Sequence, residues 1–319
     1  MTRELDDTDT YSQSRGLSVH DDELGEVFKA AREEVERGYA HSLMTGILFP
    51  SSPLPEGVNS YTVERRGDAS YILLAGTDAK TNKVLMPYGI YPRLIMCWVA
   101  EQVRKAGDHA TSTFDPQTRK VTIPSITRMM RELRVAPGGT SRRRFMEQLY
   151  AVMTSSIIEV KDIGGDDNPH EQHSDAVPLA TKVTVPRPEN PSSYSKSSFV
   201  LSETLYEVFS KSSMPYVKAI VEHLISRGGS VMKFDLYLWL LDTAPRIPFR
   251  LSNDWEYLHR TFGRNYKQRK DFRTNFTKAL KEIEKVYPAL KYEISDYGLT
   301  VFRSPKQLRA NGTVNLESK

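Results

Sequence analysis

Six side chains in one segment have the types and spacing to hold a polyanion. Lys270, Thr274, Thr277 and Lys281 recur at three- and four-residue intervals, with Arg273 and Lys278 beside them and Arg269 just ahead. At about 100° per residue they share one side of a helix over residues 268–287. Phe272, Phe276, Ala279, Leu280, Ile283 and Tyr287 fall on the opposite side. An apolar stripe of that width docks a helix on a core. The other side offers cations, hydroxyls and nearby Asn275, which donate to phosphate oxygens and to base edges in the major groove. For an isolated helix the commoner reading is a solvated basic surface. Its position in the chain argues otherwise.

The neighbouring segments supply that position. Residues 235–241 (DLYLWLL) are apolar almost all round and predict a buried helix. Pro245 and Pro248 end it, and residues 246–251 suit a short strand. Ser252 or Asn253 is a fitting N-cap for a helix through Trp255, Tyr257 and Leu258 that Gly263 terminates. Pro288 stops the long helix. Residues 291–295 and 299–303 then form two strands around Asp296-Tyr297-Gly298. Helix, strand, helix, basic helix and hairpin is the order of a winged helix, whose third helix enters the major groove.

A similar order occurs upstream. Residues 91–105 predict a helix with Pro92 in its first turn, and 119–123 a strand. Helices over 124–133 and 141–154 follow, separated by Pro137-Gly138-Gly139. Residues 157–163 and 179–185 are the expected wing strands, with an acidic loop over 164–176 between them. In the 141–154 helix, Phe145, Leu149, Val152 and Met153 would face the core. Arg142, Arg143 and Arg144 at its start could clamp phosphates, or could be solvated or paired with acidic residues near the N-terminus. No residue-level repeat links the two units, so the duplication rests on element order.

Charge distribution points the same way. The chain has 319 residues and a net charge of +4. Residues 1–40 carry 5 basic and 11 acidic side chains, whereas 246–285 carry 11 against 5 and 127–144 carry 6 arginines against one glutamate. Two local basic segments fit polyanion contact better than general solubility does. The longest apolar run, 94–100, is far short of a membrane span. A single cysteine, Cys97, allows no internal disulfide and suits the cytoplasm. Residues 21–37 predict an acidic amphipathic helix, with Leu24, Phe28, Ala31 and Val35 in one stripe. Residues 51–59 and 186–198 read as linkers.

Enzymatic signatures are missing from the sequence. There is no G-x-x-x-x-G-K-[ST] run for ATP. His170-Glu171-Gln172-His173 lacks the spacing of a metal-dependent hydrolase or of a rolling-circle nuclease. Asp166 and Asp167 lack a third carboxylate, and the 16 tyrosines include no evident strand-transfer set. The expectation is a non-enzymatic DNA binder without cofactor or metal. The alternatives are a winged-helix repressor and, further off, a nicking nuclease or relaxase.

Four stretches carry a family resemblance: 84–104 (VLMPYGIYPRLIMCWVAEQVR), 235–240 (DLYLWL), 255–263 (WEYLHRTFG) and 271–288 (DFRTNFTKALKEIEKVYP). In this order they resemble the bacterial plasmid replication initiators of the RepA type. The resemblance implies binding to repeated sequences (iterons) in double-stranded origin DNA. It also implies opening of an adjacent AT-rich region, recruitment of a host initiator ATPase and the replicative helicase, and tandem winged helices. Some such initiators repress their own promoter as homodimers.

The expected fold class is therefore α+β, with two tandem winged-helix domains and an N-terminal helical extension. The expected divisions are a partly disordered acidic arm with an amphipathic helix (1–60), a first winged helix (61–201), a second (202–305) and a flexible tail (306–319).

Overall fold

A computed structural model of the protein describes residues 36–40, 49–64, 69–78, 80–162, 172–185, 196–226 and 231–308. Strand β1 (Arg37–Ala40) comes first. Then follow β2 (Ser60–Glu64), β3 (Ala69–Leu74), the short pair β4 (Gly76–Thr77) and β5 (Val84–Leu85), and helix α1 (Ile90–Ala106). After these come β6 (Phe114–Asp115), β7 (Lys120–Ile123), α2 (Ile126–Glu132) and α3 (Gly139–Met153). Strands β8 (Ser156–Asp162), β9 (Gln172–Pro178), β10 (Ala180–Thr184) and β11 (Ser197–Leu201) complete the upstream half. The downstream half runs α4 (Glu203–Ser212), β12 (Met214–Val217), α5 (Lys218–Ser226), α6 (Val231–Thr243), β13 (Arg250–Asp254), α7 (Trp255–Phe262), α8 (Arg269–Val286), β14 (Tyr292–Ile294) and β15 (Gly298–Phe302).

The fold is α+β with two tandem winged helices, α1–β7–α2–α3–β8–β9 and α6–β13–α7–α8–β14–β15. Local chemistry sets the helix ends. Ser125 Oγ accepts from the Arg128 N–H at the start of α2, and Asp254 Oδ1 accepts from the Tyr257 N–H at 2.7 Å to start α7. The Gly263 N–H closes α7 onto the His259 carbonyl. A Cβ on Gly263 would sit 2.4 Å from the Phe272 ring, so glycine there lets α8 approach. At Gly298 a Cβ would lie 1.9 Å from the Asn253 carbonyl oxygen, which fixes glycine where the wing closes on β13.

The downstream wing is a three-stranded sheet in the order β13–β15–β14. The upstream wing is larger: β8 and β9 are joined by β3 and β2 in the order β2–β3–β8–β9. Strands β10 and β11 pair with each other, and β11 pairs in turn with β7. One apolar core runs through both halves, from Leu94 and Trp98 on α1 to Leu236, Leu238 and Leu240 on α6 and Phe272 and Phe276 on α8.

Several boundaries differ from the sequence expectation. The partner of β8 is Gln172–Pro178, not 179–185, so the end of the acidic 164–176 segment is strand. Pairing along the β8 ladder outweighed its polar composition. Residues 197 and 198, read as linker, open β11 because β7 supplies a pairing edge. The strand before α7 is Arg250–Asp254, not 246–251, and Asp254, not Ser252 or Asn253, is the cap. Arg37 begins a strand paired with Val217 instead of ending a helix. Glu36 is not helical either, and residues 21–35 of the expected helix lie outside the described residues, as do the 1–20 arm, Asp166, Asp167, His170 and Glu171.

Candidate nucleic-acid interface

Helix α8 is seated by aromatic contacts. Trp255 meets Phe276 and Phe272 edge-on at 5.8 and 6.3 Å, and Phe272 and Phe276 lie 5.4 Å apart. Phe262 packs on Phe276 at 5.9 Å and on Trp239 of α6 at 5.7 Å. Each such pair adds about 0.5–1.5 kcal/mol beyond area burial. The buried residues of α8 are Phe272, Phe276, Ala279, Leu280, Ile283 and Val286, a single stripe.

The other side of α8 is open. Arg269, Lys270, Arg273, Thr274, Lys278 and Lys281 are exposed, and Thr277 is half-buried. Lys270, Lys278 and Lys281 have no ion pair with any described residue. Arg269 lies 3.7 Å from Glu256 across an exposed gap. The Thr274 hydroxyl donates to the Lys270 carbonyl at 3.0 Å. Arg273 stacks over the Trp255 ring at 5.1 Å. The Trp255 indole N–H in turn donates to the Ser295 carbonyl at 3.0 Å, and its backbone N–H to the Tyr297 carbonyl at 3.1 Å. Through Trp255 the basic helix and the wing turn are therefore held in one frame.

In the upstream unit Arg143 and Arg144 are exposed at the start of α3, and Arg142 is half-buried. Arg143 has a loose contact with Glu147 at 3.9 Å. Two other arginines of the 127–144 cluster are engaged. Arg128 donates to Glu132 at 2.8 Å, while Arg134 pairs with Glu36 at 2.9 Å and Glu222 at 3.8 Å. Phe145, Leu149, Val152 and Met153 are buried as expected, but so are Met146, Gln148 and Ala151. Helix α3 is thus covered over a wide arc.

Sequence reasoning overlooked Lys267, exposed directly ahead of the α8 cap, and Tyr297, 89% exposed at the wing tip. The hairpin turn signal marked the place of Tyr297 without indicating its exposure. Arg264 belongs elsewhere. It stacks on Tyr61 at 5.3 Å and donates to the Thr62 carbonyl, both on β2. Burial pushes the Cys97 thiol up to about 12, which suits packing and not nucleophilic attack. Among the described residues no group of three or more His, Cys, Asp or Glu is placed to hold a metal ion. No helix among them is long and apolar enough to cross a membrane.

Comparison with known proteins adds three findings. Residues 86–258 match the profile of the family described as plasmid encoded RepA protein. The fold is similar to a crystal structure of RctB domains 2-3, with TM-score 0.51 and 11% identity over 83% of this chain and 97% of that one. A second structure, of selenomethionine derivatives of RctB domain 2 and domain 3, gives TM-score 0.51 and 12% identity over 88% and 98%. No curated protein matches the sequence.

Proposed function

The chain belongs to the family of plasmid encoded RepA proteins, and from that premise we propose that it starts plasmid replication by binding iterons in double-stranded origin DNA. The observation that carries this reading is the uncovered cationic side of α8, locked to its wing through Trp255. In this reading α8 lies in a major groove. Lys270, Thr274, Thr277, Lys278 and Lys281 face phosphates and base edges, and Arg269 and Arg273 flank them. Arg142, Arg143 and Arg144 contact the backbone of an adjacent turn, about 34 Å away along the helix axis.

The protein acts by binding, not catalysis, in the bacterial cytoplasm and without a cofactor. Bound DNA is bent or opened next to an AT-rich segment, where a host initiator ATPase and the replicative helicase are recruited. The family resemblance supports these later steps, and a homodimer for promoter repression.

Footprinting on DNA flanking the gene tests the reading. Protection of direct repeats in consecutive major grooves is expected, together with replication of a plasmid carrying only this gene and that DNA. Protection of a lone inverted repeat without replication would identify a repressor. A covalent tyrosyl adduct on supercoiled DNA with Mg²⁺ would identify a nicking enzyme.

A further inference from the structure

Helix α1 joins the two halves through polar groups inside an otherwise apolar core. Arg93, Cys97 and Glu101 recur every fourth residue and so form one row along the helix. Arg93 is 1% exposed and Asp235, on α6, is 5% exposed. Arg93 Nε donates to Asp235 Oδ1 at 2.7 Å, and Nη2 donates to Asp235 Oδ2 at 2.9 Å and to the Phe49 carbonyl at 2.7 Å. Nη1 donates to the Gly89 carbonyl at 2.8 Å and the Pro50 carbonyl at 3.4 Å. All three guanidinium nitrogens are thus engaged, each by a carboxylate or carbonyl oxygen. Further along the row, Cys97 contacts Tyr216 of β12, and Glu101 accepts from Lys218 of α5 at 3.0 Å.

We propose that Arg93 and Asp235 are a positioning pair that fixes the separation and angle between α3 and α8, so that the protein selects the spacing between its two DNA contacts. The inference rests on the reading that both units touch DNA. Helix α3 packs on α1, and α6 packs on α8, so the pair lies in a direct packed path between the two candidate contacts. Apolar surfaces tolerate sliding, whereas a fork of parallel hydrogen bonds has one geometry. A buried pair adds little net stability over an apolar filling, and specifying one arrangement is a role in which its retention makes sense.

Two measurements test this in the full chain. The first uses no DNA. Spin labels at Thr140→Cys and Lys285→Cys, with buried Cys97 left in place, should give one narrow interlabel distance. Asp235→Asn should broaden that distribution at least twofold. So should the double variant Arg93→Met with Asp235→Leu, which fills the volume without charge and guards against misfolding of the single variant. Equal widths in all folded proteins would overturn the proposal.

The second measurement uses a duplex selected by the protein from a random-sequence pool, with two base pairs inserted at its centre. The unlabelled parent should lose at least tenfold in affinity and the variants less than threefold. Equal losses in parent and variants would also overturn it. A parent that tolerates the insertion while the distances still broaden would instead sink the two-contact reading and leave the positioning pair standing.

Discussion

Helix α8 buries six of its 18 residues and leaves one long side uncovered, whereas α3 buries seven of its 15, all in its last nine. The difference lies in what each half packs against its third helix. In α8 the buried positions form a single stripe, closed by α6, α7 and the aromatic cluster. In α3 they include 145, 146, 148, 149, 151, 152 and 153, and Gln148 Oε1 also takes the Tyr88 N–H at 2.8 Å. The wings differ likewise. The downstream wing stands as three strands, while the upstream one is extended by β2 and β3, and β2 meets Arg264 of the other half. One element order therefore serves two ends: a helix with a free side suits reading a groove, and a covered helix has little more than its first turn to offer.

Binding measurements can break this contrast. Lys270→Ala with Lys281→Ala should cost about 2–4 kcal/mol in affinity for the selected duplex, and should relax preference at particular base positions. Arg143→Ala with Arg144→Ala should cost about 1 kcal/mol, evenly across sequences, as phosphate contacts do. Fluorescence anisotropy on both pairs of variants decides. A larger loss from the upstream pair would reverse the assignment of reading and positioning.

Salt dependence sharpens the same contrast with a smaller effect. Removing one cation from one phosphate should reduce the slope of log affinity against log salt by about 0.9. The upstream pair should therefore change the slope nearly as much as the downstream pair, despite its smaller change in affinity. An unchanged slope in the upstream variant would remove α3 from the DNA.

The downstream half was legible because its signals are local. Pro245, Pro248, Gly263, Pro288 and Gly298 punctuate it, and the stripe in α8 is long enough to fix its faces. The upstream wing was not, since its pairings join segments far apart. Nothing in residues 60–64 or 172–178 names a partner, and polar strands gain their preference from neighbours. The same holds for β1, whose partner β12 lies beyond the whole upstream unit. The Arg93–Asp235 pair leaves a faint trace in the sequence: a charge set among apolar residues in each of two helices, opposite in sign. Their meeting is a fact of tertiary packing alone.

If the upstream wing is docked and not free, Arg264→Ala should lower stability by about 0.5–1 kcal/mol, the worth of an exposed cation–π contact. DNA affinity should change little, since the guanidinium already lies on Tyr61 and the Thr62 carbonyl. Thermal melting and anisotropy on the same preparation separate the two effects. Affinity loss at unchanged stability would place Arg264 on DNA and free the upstream wing.

The smallest effect concerns Glu36, which touches both halves through Arg134 at 2.9 Å and Lys218 at 2.8 Å. Burial alone would push this carboxyl up. The hydrogen bond and charge of Lys218, joined by those of Arg134, outweigh it and hold the group below its ordinary range. The folded state thus favours the ionised form. The resulting stability is present above the unfolded carboxylate value and is lost as pH falls through the lower folded value. Glu36 is 47% exposed at its side chain, so solvent screening limits the effect to about 0.5 kcal/mol. Glu36→Gln should therefore melt slightly below the parent at pH 7, and the two curves should converge at acid pH, below the ordinary carboxylate range. A gap that persists undiminished in acid would show that β1 is held by its ladder to β12 and by shape, with Gly38 against the Tyr216 ring. Glu36 would then contribute nothing by charge to joining the two halves.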